Sequence, residues 1–173
     1  MKKSEQNVFN DLKIRKLNLR DEKDILRIRN DPITRKMSFN QEIISKKDHN
    51  SWFMKKIIDK NSVVYVAEKE NNIIGIIQFN KRENNDIFEV NINLNPKFRG
   101  NSYSSFLLKK AIYNFEKKFT CTLIAFIKKE NIPSLKCFEA SGFGIYEENN
   151  NIITMQNKNI LINKIEQVRS KNN

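Results

Sequence analysis

Apolar and polar positions along the chain change their period several times, and each change marks an element. Leu12, Ile14 and Leu17 alternate loosely with charged neighbours, which reads as a first strand. From Arg20 to Asn30 the spacing becomes helical, with Ile25 and Ile28 on one face, and Pro32 is expected to close this helix. Ser45 is placed to cap a second helix, with Asp48 at its third position and Trp52, Phe53, Lys56 and Ile57 on neighbouring faces.

Residues 62–68 and 73–79 are β-branched runs separated by Glu70, Asn71 and Asn72, the pattern of a hairpin. After a polar turn around Asn84, Asn85 and Asp86, residues 87–94 alternate strictly. Val90, Ile92 and Leu94 share one face, and Glu89, Asn91 and Asn93 the other. Residues 102 to about 119 return to helical spacing through Tyr103, Phe106, Leu107, Ala111, Ile112 and Phe115. A buried-type strand over 122–127, a short helix over 133–141 opened by Pro133 and ended by Gly142, and a final hairpin over 143–146 and 152–155 complete the pattern. These readings divide the chain into an extension over 1–11, one domain over 12–157 and a helical or disordered tail over 158–173, where Ile160, Leu161, Ile165 and Val168 keep weak periodicity.

Composition narrows the partners. The 173 residues fit one domain, and 39% hydrophobic content is enough for a core. A formal charge of +12, from 32 Lys and Arg against 20 Asp and Glu, favours a polyanionic ligand such as a nucleotide, CoA, nucleic acid or anionic lipid. No RNP-type aromatic signature, zinc-finger spacing or basic region linked to heptads occurs, so nucleic acid is not the expected partner. Apolar runs such as residues 73–77 are too short to cross a bilayer, so no membrane partner is expected. Cys121 and Cys137 form no C-x-x-C pair, and the N-terminus leads into no apolar signal core, so reduced thiols in the cytoplasm are expected, with no metal. A monomer and a homodimer are equally compatible with this.

Two segments carry chemistry. The turn Asn95-Pro96-Lys97-Phe98-Arg99-Gly100-Asn101-Ser102-Tyr103-Ser104 enters the long helix, and Asn131-Ile132-Pro133-Ser134-Leu135-Lys136-Cys137-Phe138-Glu139-Ala140-Ser141-Gly142-Phe143 follows further on. Together with the element order they resemble the GNAT superfamily of N-acetyltransferases over about residues 12–155. The resemblance implies a mixed α/β (α+β) fold whose mostly antiparallel central sheet is splayed after the fourth strand and flanked by helices. Acetyl-CoA is then the implied cosubstrate, and an amine attacks its thioester directly. Backbone groups of Ile92, Asn93 and Leu94 would take the pantetheine amides by strand augmentation. The amides of Arg99, Gly100, Asn101, Ser102, Tyr103, Ser104 and Ser105 would take the pyrophosphate, aided by the helix dipole. Ser102 and Ser104 stand where the family signature has glycines. Asn131 would bind the pantetheine arm, the helix bearing Lys136 would flank CoA, and Phe138 replaces a Tyr that in many relatives protonates the leaving thiolate. Phe138 has no proton to give. Glu89, on the polar face of the fourth strand where relatives carry a Glu, is the candidate base acting through water. Its alternative is a solvated strand Glu paired with a surface Lys.

In the N-terminal third, Arg27-Ile28-Arg29-Asn30-Asp31-Pro32 with Ser38, and Ile44-Ser45-Lys46-Lys47-Asp48-His49-Asn50-Ser51-Trp52-Phe53 further on, resemble the branch acting on 4-amino sugar nucleotides, as in pseudaminic-acid synthesis. The implied substrate-binding residues are Arg29, Asn30, Ser38, His49 and Trp52, with Phe79 grouped beside them. The preferred acceptor is a nucleotide-linked amino sugar. Alternatives are a ribosomal-protein-type peptide acetyltransferase and a catalytically weak CoA-binding module. Plain structural roles stay open for several of these residues: a helix cap for Arg29 and Asn30, a satisfied polar side chain for His49, and core packing for Trp52.

Overall fold

A computed structural model describes residues 11–83 and 86–157. The expected tail over 158–173, and all but the last residue of the expected extension, lie outside them. The chain begins with β1 (Lys13–Lys16), then a 3-10 turn at Leu19–Asp21, helices α1 (Glu22–Arg29), α2 (Pro32–Met37) and α3 (Lys46–Ile58). Strands β2 (Ser62–Lys69), β3 (Asn72–Lys81) and β4 (Ile87–Leu94) form a meander. A 3-10 turn at Pro96–Phe98 leads to α4 (Tyr103–Glu116), β5 (Thr122–Lys128), α5 (Ile132–Ala140) and the hairpin β6 (Phe143–Glu148) and β7 (Ile152–Asn157).

The seven strands form one sheet in the order β1-β2-β3-β4-β5-β7-β6. Every pairing is antiparallel except β4 with β5, which run parallel over only Ile87↔Thr122, Phe88↔Leu123 and Glu89↔Ile124. Beyond Glu89 the two strands part, while β4 stays paired to β3 as far as Leu94. The mostly antiparallel sheet splayed after the fourth strand is the architecture expected from the sequence.

Each face is sealed by helices with apolar residues at i, i+3 and i+4. On one side, Leu107, Leu108, Ala111, Ile112 and Phe115 of α4 pack with Phe79, Phe88 and Val90 of the sheet. Phe79 stacks on Phe115 with ring centroids 4.1 Å apart. On the other side, Ile25 and Ile28 of α1 and Phe53 of α3 cover Val66, Ile73 and Ile76. Burying one such side chain is worth roughly 1.5–3 kcal/mol, and these clusters fix which face each helix occupies.

One boundary reads differently from the sequence. Pro32 opens a helix instead of closing one: α1 stops at Arg29, Asp31 accepts from the Thr34 amide as N-cap, and Pro32 occupies the first turn of α2. A first-turn position needs no N–H, and the proline's fixed φ suits it. The turn into the long helix also runs one residue further than expected, so that α4 begins at Tyr103.

The far end of β4 is clamped to β3. The Asn95 amide donates to Ile74 O at 2.7 Å, and its buried side chain donates to Ile73 O at 2.8 Å. Opposite Leu94, a Cβ on Gly75 would lie 2.7 Å from Asn93 O and 2.9 Å from Leu94 Cδ2. A glycine is therefore required for the two backbones to approach so closely. Gly75→Ala should destabilise the fold by about 1–3 kcal/mol through overpacking, read as a lowered melting temperature.

Candidate active site

Where β4 leaves β5, the β4 edge from Val90 to Leu94 forms one bank of a cleft of about 1010 Å3. Phe126 and Ile127 of β5 and Asn131, Pro133, Ser134 and Cys137 at α5 form the other bank. Backbone amides and carbonyls that β5 would otherwise pair are left for a ligand lying along the strand. Of the residues expected to hold the donor, Ile92, Asn93, Leu94, Arg99, Gly100, Ser104, Asn131 and Phe138 line this cleft.

At one end lies the turn into α4. Gly100 has φ +81° and Ser102 has φ +58°. The left-handed backbone at Ser102 explains why the family signature has glycine at this position: a Cβ there costs roughly 1–2 kcal/mol. Ser102 forms no side-chain cap, and the first amides of the helix, from Tyr103 onward, have no acceptor within it. The side chains of Asn101, Ser102, Tyr103 and Ser105 do not reach the cleft wall, so any role for them rests on backbone. Asn101 bonds to Arg99 O, Tyr103 is buried edge-on to Phe98, and Ser105 bonds weakly to Ser102 O. The Arg99 guanidinium is held by Asp31 at 2.6 Å and by the Thr34 hydroxyl at 2.7 Å. Burial alone would raise the Asp31 carboxyl, but the Thr34 amide and Arg99 outweigh it and hold it below the usual carboxylate value.

On the opposite bank, Asn131 caps α5 by accepting from the Ser134 amide at 3.3 Å. Lys136 is exposed and turned off the cleft wall, which Pro133, Ser134 and Cys137 supply instead. Phe138 is buried edge-on against Phe143, with centroids 5.0 Å apart. Burial pushes the Cys137 thiol up to about 11, so it stays protonated at neutral pH.

The other end of the cleft lies beneath residues 38–45, and the residues read as substrate-binding are largely what holds this loop. Asn30 is not on the cleft wall. Its side chain accepts from Ile44 N and donates to Ile44 O, both at 2.9 Å, as a neighbouring strand would. Ser38 accepts from Arg29, donates to Thr34 O at 2.7 Å and also lines the cleft. Arg29 reaches the Asn40 carbonyl at 3.5 Å, and no carboxylate pairs with it among the described residues. Burial without an ion partner lowers its pKa.

His49 and Trp52 line the cleft from α3. His49 is 1% exposed, and its Nε2 lies 3.0 Å from Glu22 O. A carbonyl can only accept, so Nε2 carries the proton. Burial lowers the imidazole pKa despite this bond, and the ring stays neutral between Trp52 and Phe53.

Two further expected residues, Phe79 and Glu89, are also off the cleft wall. Phe79 is 0% exposed and stacked on Phe115 beneath the opposite face of the sheet, so it belongs to the core and not to a substrate site. Glu89 sits at the last paired position before the strands part and is not on the cleft wall. Its carboxylate accepts from Arg82 at 3.2 Å and from Asn91 Nδ2 at 3.1 Å, and the polar residues of this strand on the cleft wall are Asn91 and Asn93.

Sequence reasoning passed over Phe39, Glu42, Ile43, Asp48, Gln78 and Asn91, all on the wall. Asn91 was marked by its polar strand face. Loop residues 39–43 carry no periodic signal.

A strand edge without a partner, running up to the free amides of a helix N-terminus, suits a long phosphate-bearing ligand. Comparison with known proteins agrees. The family described as acetyltransferase (GNAT) domain matches residues 11–144. A putative phosphinothricin acetyltransferase of Bacillus subtilis is 32% identical over 130 residues, which span 72% of this chain and 78% of that protein. The crystal structure of a putative phosphinothricin N-acetyltransferase superposes with TM-score 0.72 at 28% identity, covering 84% of this chain and 96% of that one. The spermidine N-acetyltransferase of Vibrio cholerae, solved with CoA and spermine, superposes with TM-score 0.77 at 18% identity, covering 87% and 98%. The chain belongs to the GNAT acetyltransferase family; it is an N-acetyltransferase whose acyl donor is acetyl-CoA. Among the described residues no helix is long and apolar enough to cross a membrane, and no group of three or more His, Cys, Asp or Glu side chains is placed to hold a metal.

The state of His49 sets a pH dependence. Its folded pKa lies below the ordinary value of 6.5, so the folded chain binds fewer protons than the unfolded one once the pH falls past that value. The stability contributed is full above about pH 6.5 and declines below it. His49→Gln, which keeps an N–H for Glu22 O, should flatten the fall in denaturant midpoint between about pH 6.5 and pH 5 seen in the wild type.

Proposed function

We propose that the chain transfers the acetyl group of acetyl-CoA to the amine of a nucleotide-linked amino sugar. The observation that carries this reading is Arg29, a half-buried guanidinium at the acceptor end of the cleft with no carboxylate partner among the described residues. A diphosphate would supply the missing counter-charge. Trp52 and the exposed Phe39 flank the same end and offer flat surfaces to a base or sugar ring.

The donor lies along β4, its pantetheine amides on the backbone of Ile92, Asn93 and Leu94 and its pyrophosphate on the amides from Arg99 to Ser105, with Asn131 on the opposite bank. The amine lone pair attacks the thioester carbonyl carbon, the C–S bond breaks and CoA thiolate leaves. An alkylamine is mostly protonated at neutral pH, so its proton must be removed before attack. Glu89 receives it through water beside Asn91. Phe138 cannot reprotonate the thiolate, so that proton comes from water or from the ammonium formed in the reaction.

The second reading is a small anionic amine of the phosphinothricin type. It is favoured by the 32% identical relative, and such an acceptor would also pair with Arg29. A polyamine would bring positive charge towards an unpaired guanidinium, and the spermidine acetyltransferase shares only the fold with this chain at 18% identity.

Thiol release from acetyl-CoA, measured with UDP-4-amino sugars, phosphinothricin, spermidine and basic peptides, should be fastest with the nucleotide sugar. Turnover confined to peptides or spermidine sinks the assignment, and acetyl-CoA binding without turnover on any amine marks a binding module. Glu89→Gln should lower kcat by roughly a hundredfold with little change in acetyl-CoA affinity. An unchanged pH–rate profile would remove Glu89 from the role.

A further inference from the structure

Arg99 makes both of its side-chain hydrogen bonds through one nitrogen. Nη2 donates to Asp31 Oδ1 at 2.6 Å and to Thr34 Oγ1 at 2.7 Å. Its Nε–H and Nη1 hydrogens have no acceptor among the described residues, and the guanidinium lines the donor end of the cleft. The same Asp31 oxygen accepts from the Thr34 amide at 2.9 Å and from its hydroxyl at 3.2 Å. One carboxylate oxygen therefore caps α2 and fixes the orientation of a cation 68 residues away.

We propose that Asp31, assisted by Thr34, is a positioning residue for the acyl donor: by holding Nη2 it turns the remaining Nη1 and Nε–H donors of Arg99 towards the pyrophosphate. The proposal rests on the reading that the Arg99–Ser104 turn receives that group. Both two-pronged edges of the guanidinium include Nη2, which the ion pair occupies, so Arg99 offers a phosphate single N–H donors whose directions are fixed by the plane, and their strength depends on that plane being aimed correctly. A free arginine side chain must give up rotamer freedom on binding, and the ion pair removes that cost in advance. The same contact ties the donor turn to α2, which continues into the loop over the acceptor end. Charge and aim predict opposite results. Removing the Asp31 carboxylate by itself makes the turn more positive and would tighten binding of a phosphate. Losing the aim weakens it.

The test compares acetyl-CoA with S-acetylpantetheine, which has the same thioester and amides but no pyrophosphate. Wild-type binding of acetyl-CoA is measured first, so that a failure of the donor reading itself shows before any variant is made. Asp31→Asn, which keeps a side-chain oxygen for the α2 cap, should raise the Kd and KM for acetyl-CoA roughly tenfold. It should change kcat less than twofold and leave the KM for S-acetylpantetheine as in the wild type. Thr34→Val, which leaves the carboxylate in place and covers the case of a poorly folded Asp31 variant, should show a smaller rise in Kd with the same dependence on the donor. Unchanged or tighter acetyl-CoA binding in both variants overturns the proposal. An equal loss with both donors also overturns it, because that is the signature of a contact that only fastens α2 to the fold.

Discussion

The parting of β4 from β5 after Glu89 is the constraint on which the rest of the molecule depends. Three parallel pairs hold the two halves of the sheet together, and beyond them β4 keeps only its β3 partner. A strand edge left without a partner inside a protein is costly unless something satisfies it. Here the chain must secure β4 from one side while keeping the other side open. It does so with the missing Cβ at Gly75 and the buried amide of Asn95, which draw the last residues of β4 onto β3. The cleft is thus a consequence of pairing geometry before any side chain is chosen for chemistry. A donor lying along this edge as proposed would be held mostly by backbone, and so would leave little mark on side-chain identity.

The acceptor end is built on a different principle. Residues 38–45 have no strand or helix of their own, yet their backbone is fastened at several points. Asn30 closes two bonds with Ile44, Arg35 donates to Gln41 O at 2.9 Å, and Arg29 reaches Ser38 and Asn40. Polar side chains from α1 and α2 therefore replace the missing backbone partners. The arrangement leaves Phe39 and Ile43 outermost, 55% and 69% exposed, on an ordered support at the mouth of the cleft. A loop fastened from beneath can vary its outward residues without loss of its path, which suits a surface that selects an acceptor.

Elements with a clean period were legible from sequence, because burial on one face imposes the period. Strand β4, with Phe88 and Val90 on the core side, and α4, with Leu107, Ala111 and Phe115 in line, are of this kind. The misread positions share a dependence on residues distant in the chain. Phe79 looked available beside the acceptor residues, but its direction is set by the stack with Phe115, 36 residues away. Pro32 signals a helix end or a helix start equally well, and only the bond from the Thr34 amide to Asp31 decides which. Asn30 has a partner fourteen positions on, in a segment with no pattern to mark it. His49 was legible as a satisfied polar residue, but its carbonyl partner at Glu22 could not be read from periodicity.

Two of the three departures from the family pattern, Ser102 and Phe138, act on separate links between structure and function. Ser102 adopts φ +58°, the backbone that a glycine would take without cost, so the turn keeps its shape and its amide directions. The penalty falls on folding free energy, roughly 1–2 kcal/mol, and not on the geometry offered to a phosphate. Phe138 is different. Its ring occupies the space beside Phe143 and supports the core as a tyrosine ring would, so nothing in the fold registers the change. What is missing is a single O–H. A fold can therefore absorb the first substitution energetically and the second sterically, while only the second would remove a proton donor from the proposed reaction. That separation leaves the shape of the proposed donor turn as the family resemblance implies it, and changes the proton donor that the resemblance implies for the thiolate.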